Sequence, residues 1–476
     1  MLEDMKYCED HLGVVFIAFC TDNGGDTRGF RVRLKRLKPK LVVPPCWGHQ
    51  VNLVVGEVIE LKIPCMRSID SSLDVVKWFT NHSQALGLLK EEQKSSERFQ
   101  ATHRILTLIF PVISRWTFHF LAVRRILTLS PPLPQFWKNL AEVKIILEPL
   151  AIAAKCMQAP DAGLDQVLLM LGNLYRIYGS HEITTRVRNC VQKSLEKRWL
   201  AMERDVFILT LYFNPYIRGT AFSKKNPALK PIALFTTAKK LYKRFFDEEP
   251  DLDFHAAFFD YSRNIKEFSA TYMQLEATKQ MYERENKRVS VVAVWEHLLT
   301  EDSGGRNGLV KLAILLLSIV ANSAGSERGF SKFGIFLTKL RSQLSIQKEL
   351  GLITDRIKRK FMKFAEECGV ESGGMQGYDE TDSFAGLSTQ LIQDLQADNT
   401  SNGDSDDESS DGDENAEGSG DDEFVHSPSH YTLKQLFEYP TDGSDGLENA
   451  LGFHWQYGIK DLQEELEVYD LLMEDD

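Results

Sequence analysis

The sequence predicts an α+β chain, mostly α, that ends in a disordered acidic tail. Three observations predict it. From Ile69 to Arg288 apolar residues recur at helical spacing, with few hairpin signals between them. One short β-branched run, Val14–Phe19 (VVFIAF), reads instead as a buried strand. Residues 404–423 are nearly pure Asp, Glu, Ser, Gly and Asn, and that composition buries too little apolar area to offset the entropy of ordering.

With 476 residues, 43% of them hydrophobic, the chain is long enough for two or three domains and a sizeable core. The net charge of −12 conceals an asymmetry. Residues 371–476 hold 29 acidic and 2 basic side chains, a net of −27, which leaves 39 acidic and 54 basic, a net of +15, in residues 1–370. A basic body suits a polyanion. The seven cysteines are scattered, odd in number and without a CxxC pair, which speaks against a disulfide framework and for a reducing compartment. Charges interrupt the first ten residues, so they do not read as a signal peptide, and the longest apolar runs, such as Leu312–Val320, are too short to span a bilayer. The expectation is a soluble intracellular protein with no membrane partner and no small-molecule substrate.

Taken in order, Met1–Leu12 reads as a helix leading into the strand. The strand runs into Cys20-Thr21-Asp22-Asn23-Gly24-Gly25-Asp26, a polar turn. A carboxylate at the C-terminal end of a buried strand serves chemistry in α/β folds, and Asp22 or Asp26 equally serves as a helix cap. Arg28–Lys40 is dense in Arg and Lys: a nuclear-import patch, a phosphate-contacting face, or the solvated side of a helix that buries Phe30, Val32, Leu34 and Leu37. Cys46 and His49 in CWGHQVNL have the spacing of half a zinc site, but zinc takes four ligands and no second pair matches. Trp116, in Ser114-Arg115-Trp116, sits in an apolar run where a plain core role is the simplest. Helices follow over Leu140–Met157 and Leu164–Tyr178. Lys224–Phe246 interleaves lysines with aromatics, which fits a DNA-facing surface or, preferably, a solvated helix with a Leu/Phe core face. Tyr431–Pro440 and Ile459–Met473 are amphipathic pieces suited to docking on the body or on a partner.

The organising stretch is Asn322–Leu344, NSAGSERGFSKFGIFLTKLRSQL. The apolar run before it breaks at a small-residue turn. Asn322 and Ser323 are helix-start residues, Glu327 falls in the first turn, and Phe330, Phe333, Phe336, Leu337 and Leu340 recur at helical spacing. On pattern alone Glu327 offsets a helix dipole. The string as a whole, however, resembles the C-terminal signature of the hAT superfamily of DNA transposases, in its large fungal branch. CWGHQVNL is similar to that family's Cys-x-x-His motif, and Arg115-Trp116 to its Arg-Trp motif.

The resemblance implies an RNase H-like fold interrupted by a large all-α insertion. It assigns the second and last acids of a DDE site to Asp22 and Glu327, which would bind Mg²⁺ or Mn²⁺ in a complete site. It implies DNA contact near Cys46, His49, Arg115 and Trp116, and dimerisation through Phe330, Phe333, Phe336, Leu337, Leu340 and Leu344. The resulting organisation is 1–68, a partial RNase H-like segment; 69–300, the insertion; 301–370, the dimerisation region; 371–430, the acidic linker; and 431–476, the amphipathic segments. Only 21 residues precede Asp22, too few for the first acid and its strands. The expectation is therefore an incomplete RNase H-like fold in an N-terminally truncated, nuclear, transposase-derived protein. It forms a homodimer or higher oligomer, retains DNA affinity, uses no cofactor and performs no strand transfer. The alternative is a fragment of an active transposase whose N-terminal exon is missing.

Overall fold

The periodic apolar residues fold as a succession of helices. In chain order they are α1 (Leu2–Leu12), α2 (Gly25–Leu37), α3 (Trp47–Glu60), α4 (Arg67–Asn81), α5 (Ser83–Lys94), α6 (Trp116–Leu129), α7 (Gln135–Gln158) and α8 (Leu164–Tyr178). They continue as α9 (Thr185–Leu200), α10 (Arg204–Phe213), α11 (Pro231–Phe246), α12 (Leu252–Ser262), α13 (Leu275–Arg284), α14 (Val291–Glu296), α15 (Arg306–Leu317) and α16 (Leu433–Leu436). A last helical segment covers 455–467. The computed structural model describes residues 2–22, 25–96, 104–110, 116–129, 135–285, 287–301, 305–325, 431–439 and 455–467. All of them belong to one unit, formed by Met1–Arg328 and Pro428–Asp476. The protein is mostly helical, as the periodicity predicts. No helix among the described residues is long and apolar enough to cross a membrane.

The core is built around α8, which buries 12 of its 15 residues. A helix buried around most of its circumference must be enclosed, and α7, α9, α10 and α15 enclose it. At its start Asp165 is buried and accepts from Asn214 Nδ2 at 2.7 Å. Beyond α10 lies an aromatic cluster in which the Trp295 ring is 5.8 Å from Phe213, 5.1 Å from Tyr261 and 5.9 Å from Phe268. The buried Trp295 indole N–H donates to the Phe213 carbonyl at 2.9 Å. The basic, aromatic stretch Lys224–Phe246 supplies α11, which turns Leu234, Phe235, Leu241 and Phe245 inward, while Lys240 pairs outside with Asp205 at 3.0 Å. The core-face reading holds there.

The β component is smaller than the apolar run suggests. Two extended segments pair in parallel at Ala18 with Val42 and at Thr21 with Pro45, and α2 is the crossover between them. The amides of Phe19 and Cys46 donate to the carbonyls of Val42 (2.9 Å) and Thr21 (2.6 Å), and Val42 N donates to Ile17 O at 3.0 Å. Met5, Leu34 and Leu41, with Phe16, Phe19, Phe30 and Val43, form a separate small core beneath this unit. Val14–Phe19 is not the buried strand its composition suggests, because Val14 is 43% and Val15 81% exposed. Among the described residues no segment pairs along its other edge, so its first residues lack cover. Val32 and Leu37 are also exposed rather than part of the buried stripe of α2. Val32 lies about 200° around the helix from Phe30, and Leu37 lies at the helix end.

Of the two amphipathic C-terminal pieces, the described parts dock on the body. In 455–467, Asp461 meets Arg288 Nη2 at 2.8 Å, Glu465 meets Lys155 at 2.6 Å, and Leu462 and Leu466 are buried.

Candidate functional site

The N-terminus of α3 gathers segments that are far apart in sequence. Cys46 precedes the first turn of α3 in extended conformation, directly after the parallel pairing at Pro45. A helix start leaves its first amides without internal partners. Here the Trp47 amide donates to the Ala321 carbonyl at 2.9 Å, nearly 275 residues away. The Ser323 amide donates to Cys46 Sγ at 3.4 Å. Asn322 holds this turn in place: its Nδ2 donates to Ala159 O at 2.9 Å, and its Oδ1 accepts from Ala324 N at 3.1 Å. That last bond is the helix-start chemistry expected of Asn322. Gly48 permits the close approach of α3 to α7, since a Cβ there would stand 2.8 Å from Gln158 Cγ.

The Cys46 thiol is 2% exposed and pushed down to about 5 from its ordinary value near 9. The largest cause is the hydrogen bond from the Cys20 thiol; burial opposes it, and the hydrogen bonds from Ser323 and the His49 amide add to it. The start of a helix also favours a thiolate. The structure therefore brings Cys20, Cys46 and Ser323 together, a contact that the spacing of no single motif discloses. His49, one turn on, is half-buried.

The Trp116 indole N–H donates to Asn52 Oδ1 at 2.8 Å, tying α6 to α3. Asn52 lies three residues beyond His49, so the CxxH helix itself holds the tryptophan of the Arg-Trp pair. Trp116 is half-buried and packs on the main core, which agrees with a core role while leaving part of the ring accessible. Helical spacing alone could have placed Asn52 near His49, but nothing in the sequence pairs it with position 116.

Asp22 ends the first extended segment and is exposed. Its carbonyl, which precedes α2, accepts from Thr27 Oγ1 at 3.1 Å and from the Arg31 guanidinium. Arg31 also donates to Thr21 Oγ1 at 2.8 Å. Beside it, a cavity of about 660 Å³ is lined by Arg31, Lys35, Gln50, Glu57, Arg198 and Glu203 among others. Its charges are largely compensated, since Lys35 meets Glu203 at 3.2 Å and Arg198 meets Glu57 at 3.0 Å.

Among the described residues no three or more His, Cys, Asp or Glu side chains stand close enough to hold a metal ion. Asp22 by itself does not make a two-metal site, and Cys46 and His49 join no group of three such side chains among the described residues. Glu327, Arg115, Phe330, Phe333, Phe336, Leu337, Leu340 and Leu344 lie outside the described residues, as does the acidic stretch 404–423. Comparison of the chain with protein-family models and with curated proteins finds no match.

Proposed function

We propose that this chain is a hAT transposase-derived protein whose surviving properties are self-association and DNA affinity. The observation that carries the reading is the convergence at the N-terminus of α3. The stretch from Cys20, the Cys46–Asn52 stretch, Trp116, and the turn Asn322–Ala324 are segments that resemble the family's motifs, and they touch in turn: Cys20 and Thr21 meet Cys46, Trp116 meets Asn52, and the turn meets Cys46. Their proximity is what a single site built from those motifs requires. On this reading the parallel pair and α2 are part of an RNase H-like sheet, α4 to α14 belong to the all-α insertion, and Glu327 follows the turn that abuts Cys46.

The basic balance of residues 1–370 supports an electrostatic attraction to nucleic acid, which would weaken steeply with salt. The apolar residues Phe330, Phe333, Phe336, Leu337, Leu340 and Leu344 supply the face for a second copy. Strand transfer by a DDE site needs three carboxylates, and this sequence matches two of them, so cleavage is not assigned to it. Nuclear location goes with the family. Sedimentation equilibrium tests the reading: a dimer across micromolar concentrations that Leu337→Asp/Leu340→Asp converts to monomer is expected. A clean monomer for the unmodified chain would overturn it.

A second reading is a piece of a cleavage-competent transposase that uses Mg²⁺ or Mn²⁺. It is favoured by Asp22 standing at the C-terminal end of a parallel segment, where α/β sheets collect their chemistry. It predicts metal-dependent strand cleavage by a form extended upstream, abolished by Asp22→Ala or Glu327→Ala.

A further inference from the structure

Residues 431–439 (YTLKQLFEY) occupy a groove between α8, α9 and the 222–226 loop, and they are held as a bound peptide is held. Three apolar anchors fill it: Leu433, Leu436 and Phe437 are buried. The body reads the segment's main chain at both ends. The Trp199 indole N–H donates to Tyr431 O at 2.7 Å, and the Ser223 amide donates to Leu436 O at 2.8 Å beside an antiparallel bridge between Phe222 and Phe437. The Glu196 carboxylate accepts from the amides of Leu433 (3.0 Å) and Lys434 (3.2 Å), so α9 supplies the charge that starts α16. Asn226 Nδ2 reaches Gln435 O at 3.3 Å, and the Lys224 amide reaches Glu438 at 3.0 Å.

The groove is shaped for the aromatic anchor. Gly172, inside the otherwise fully packed α8, leaves the space that Phe437 enters, and a Cβ there would stand 2.7 Å from the ring. The segment is also internally prepared: Thr432 and Gln435 form a capping box, and Tyr439 OH donates to Leu433 O at 2.9 Å. It is separated from Gly325 by 105 residues of chain. The contacts above run between 431–439 and the body alone, so the same segment delivered by a second copy can make the same set.

We propose that this groove is a peptide-binding site for the pattern Thr-Leu-x-x-Leu-Phe-x-Tyr, and that it accepts the segment from a second copy of this chain as well as from its own. Recognition combines a short capped helix, one added β-bridge and an aromatic plug. The native chain fills its own groove because the tether keeps the peptide at high local concentration. Two copies held close exchange segments without any new contact, which is the low-cost route to a swapped dimer.

Two measurements on full-length protein test it. In the unmodified chain, hydrogen exchange is followed at the amides of Leu433 and Lys434 and at those of α8. A separable ligand exchanges faster than α8, and faster still in Glu196→Gln, which keeps every apolar contact. Exchange at the rate of α8 in both proteins would make the segment an integral part of the core and overturn the proposal.

In the second, a fluorescein-labelled peptide covering 429–441 is titrated into the Leu433→Ala/Phe437→Ala chain, whose own segment no longer fills the groove. Saturable binding is expected, weakened about tenfold or more in the unmodified chain by its resident segment and abolished when Gly172→Met is added. No binding to a double variant that keeps the wild-type helix content would sink the proposal, and so would equal binding to the unmodified chain.

Discussion

Replacing Cys46 with serine removes a thiol that titrates and leaves a hydroxyl of similar size at the start of α3. The folded-state thiol is held at about 5 by the Cys20 hydrogen bond and the Ser323 and His49 donors, against an ordinary value near 9 in the unfolded chain. A depressed folded value stabilises the protein where the group is ionised. The contribution is complete above about pH 9, falls by about 1.4 kcal/mol for each pH unit below that, and vanishes as the pH drops through 5. At pH 7 it is worth at most about 3 kcal/mol, two units' worth. The variant lacks this dependence, whereas other titrating groups are common to both proteins and cancel in the difference. The assay is urea unfolding of wild type and Cys46→Ser from about pH 5 to about pH 8, paired with the ultraviolet absorbance of the thiolate. Absorbance is preferable to alkylation because the sulfur is buried. The expected result is a stability gap that widens with pH. A gap that stays flat, or a thiol that ionises only near 9, would show that Cys20 and Ser323 do not stabilise a thiolate.

Three further outcomes follow from the packing. A double-mutant cycle on Trp116→Phe and Asn52→Ala should show a coupling of about 1 kcal/mol in unfolding free energy, the worth of one hydrogen bond; additive effects would dissociate the two motifs. Burial pushes the Asp165 carboxyl up, so its contribution to stability is complete below the ordinary carboxylate range and declines as pH rises above it. Asp165→Asn, which still offers Asn214 an acceptor, should therefore gain on wild type in thermal melts as the pH rises above the ordinary carboxylate range, and a constant difference would contradict this. Trp295→Ala should cost about 3–5 kcal/mol by denaturant titration, because it empties the centre of the aromatic cluster and strands the Phe213 carbonyl. A loss below about 1 kcal/mol would mean that the cluster closes over the gap.

Periodicity and composition by themselves determined the mostly helical class, the helices α7, α8 and α11, and the inward face of α11, because a 3.6-residue repeat records which side of a helix meets the core. They also determined the asymmetry of charge between the body and the tail. The helix-start role of Asn322 was legible too, since the amide that donates to it lies two residues away. Burial of the β run was not. Composition reports how apolar Val14 and Val15 are, whereas cover depends on a neighbouring segment that local sequence does not name. The same holds for Cys46 beside Cys20 and Ser323, for Asn52 beneath Trp116, and for YTLKQLFEY in the groove over Gly172. Each of these joins residues tens to hundreds of positions apart, and such pairings are set by how the helices pack, a property of the whole chain rather than of any window within it.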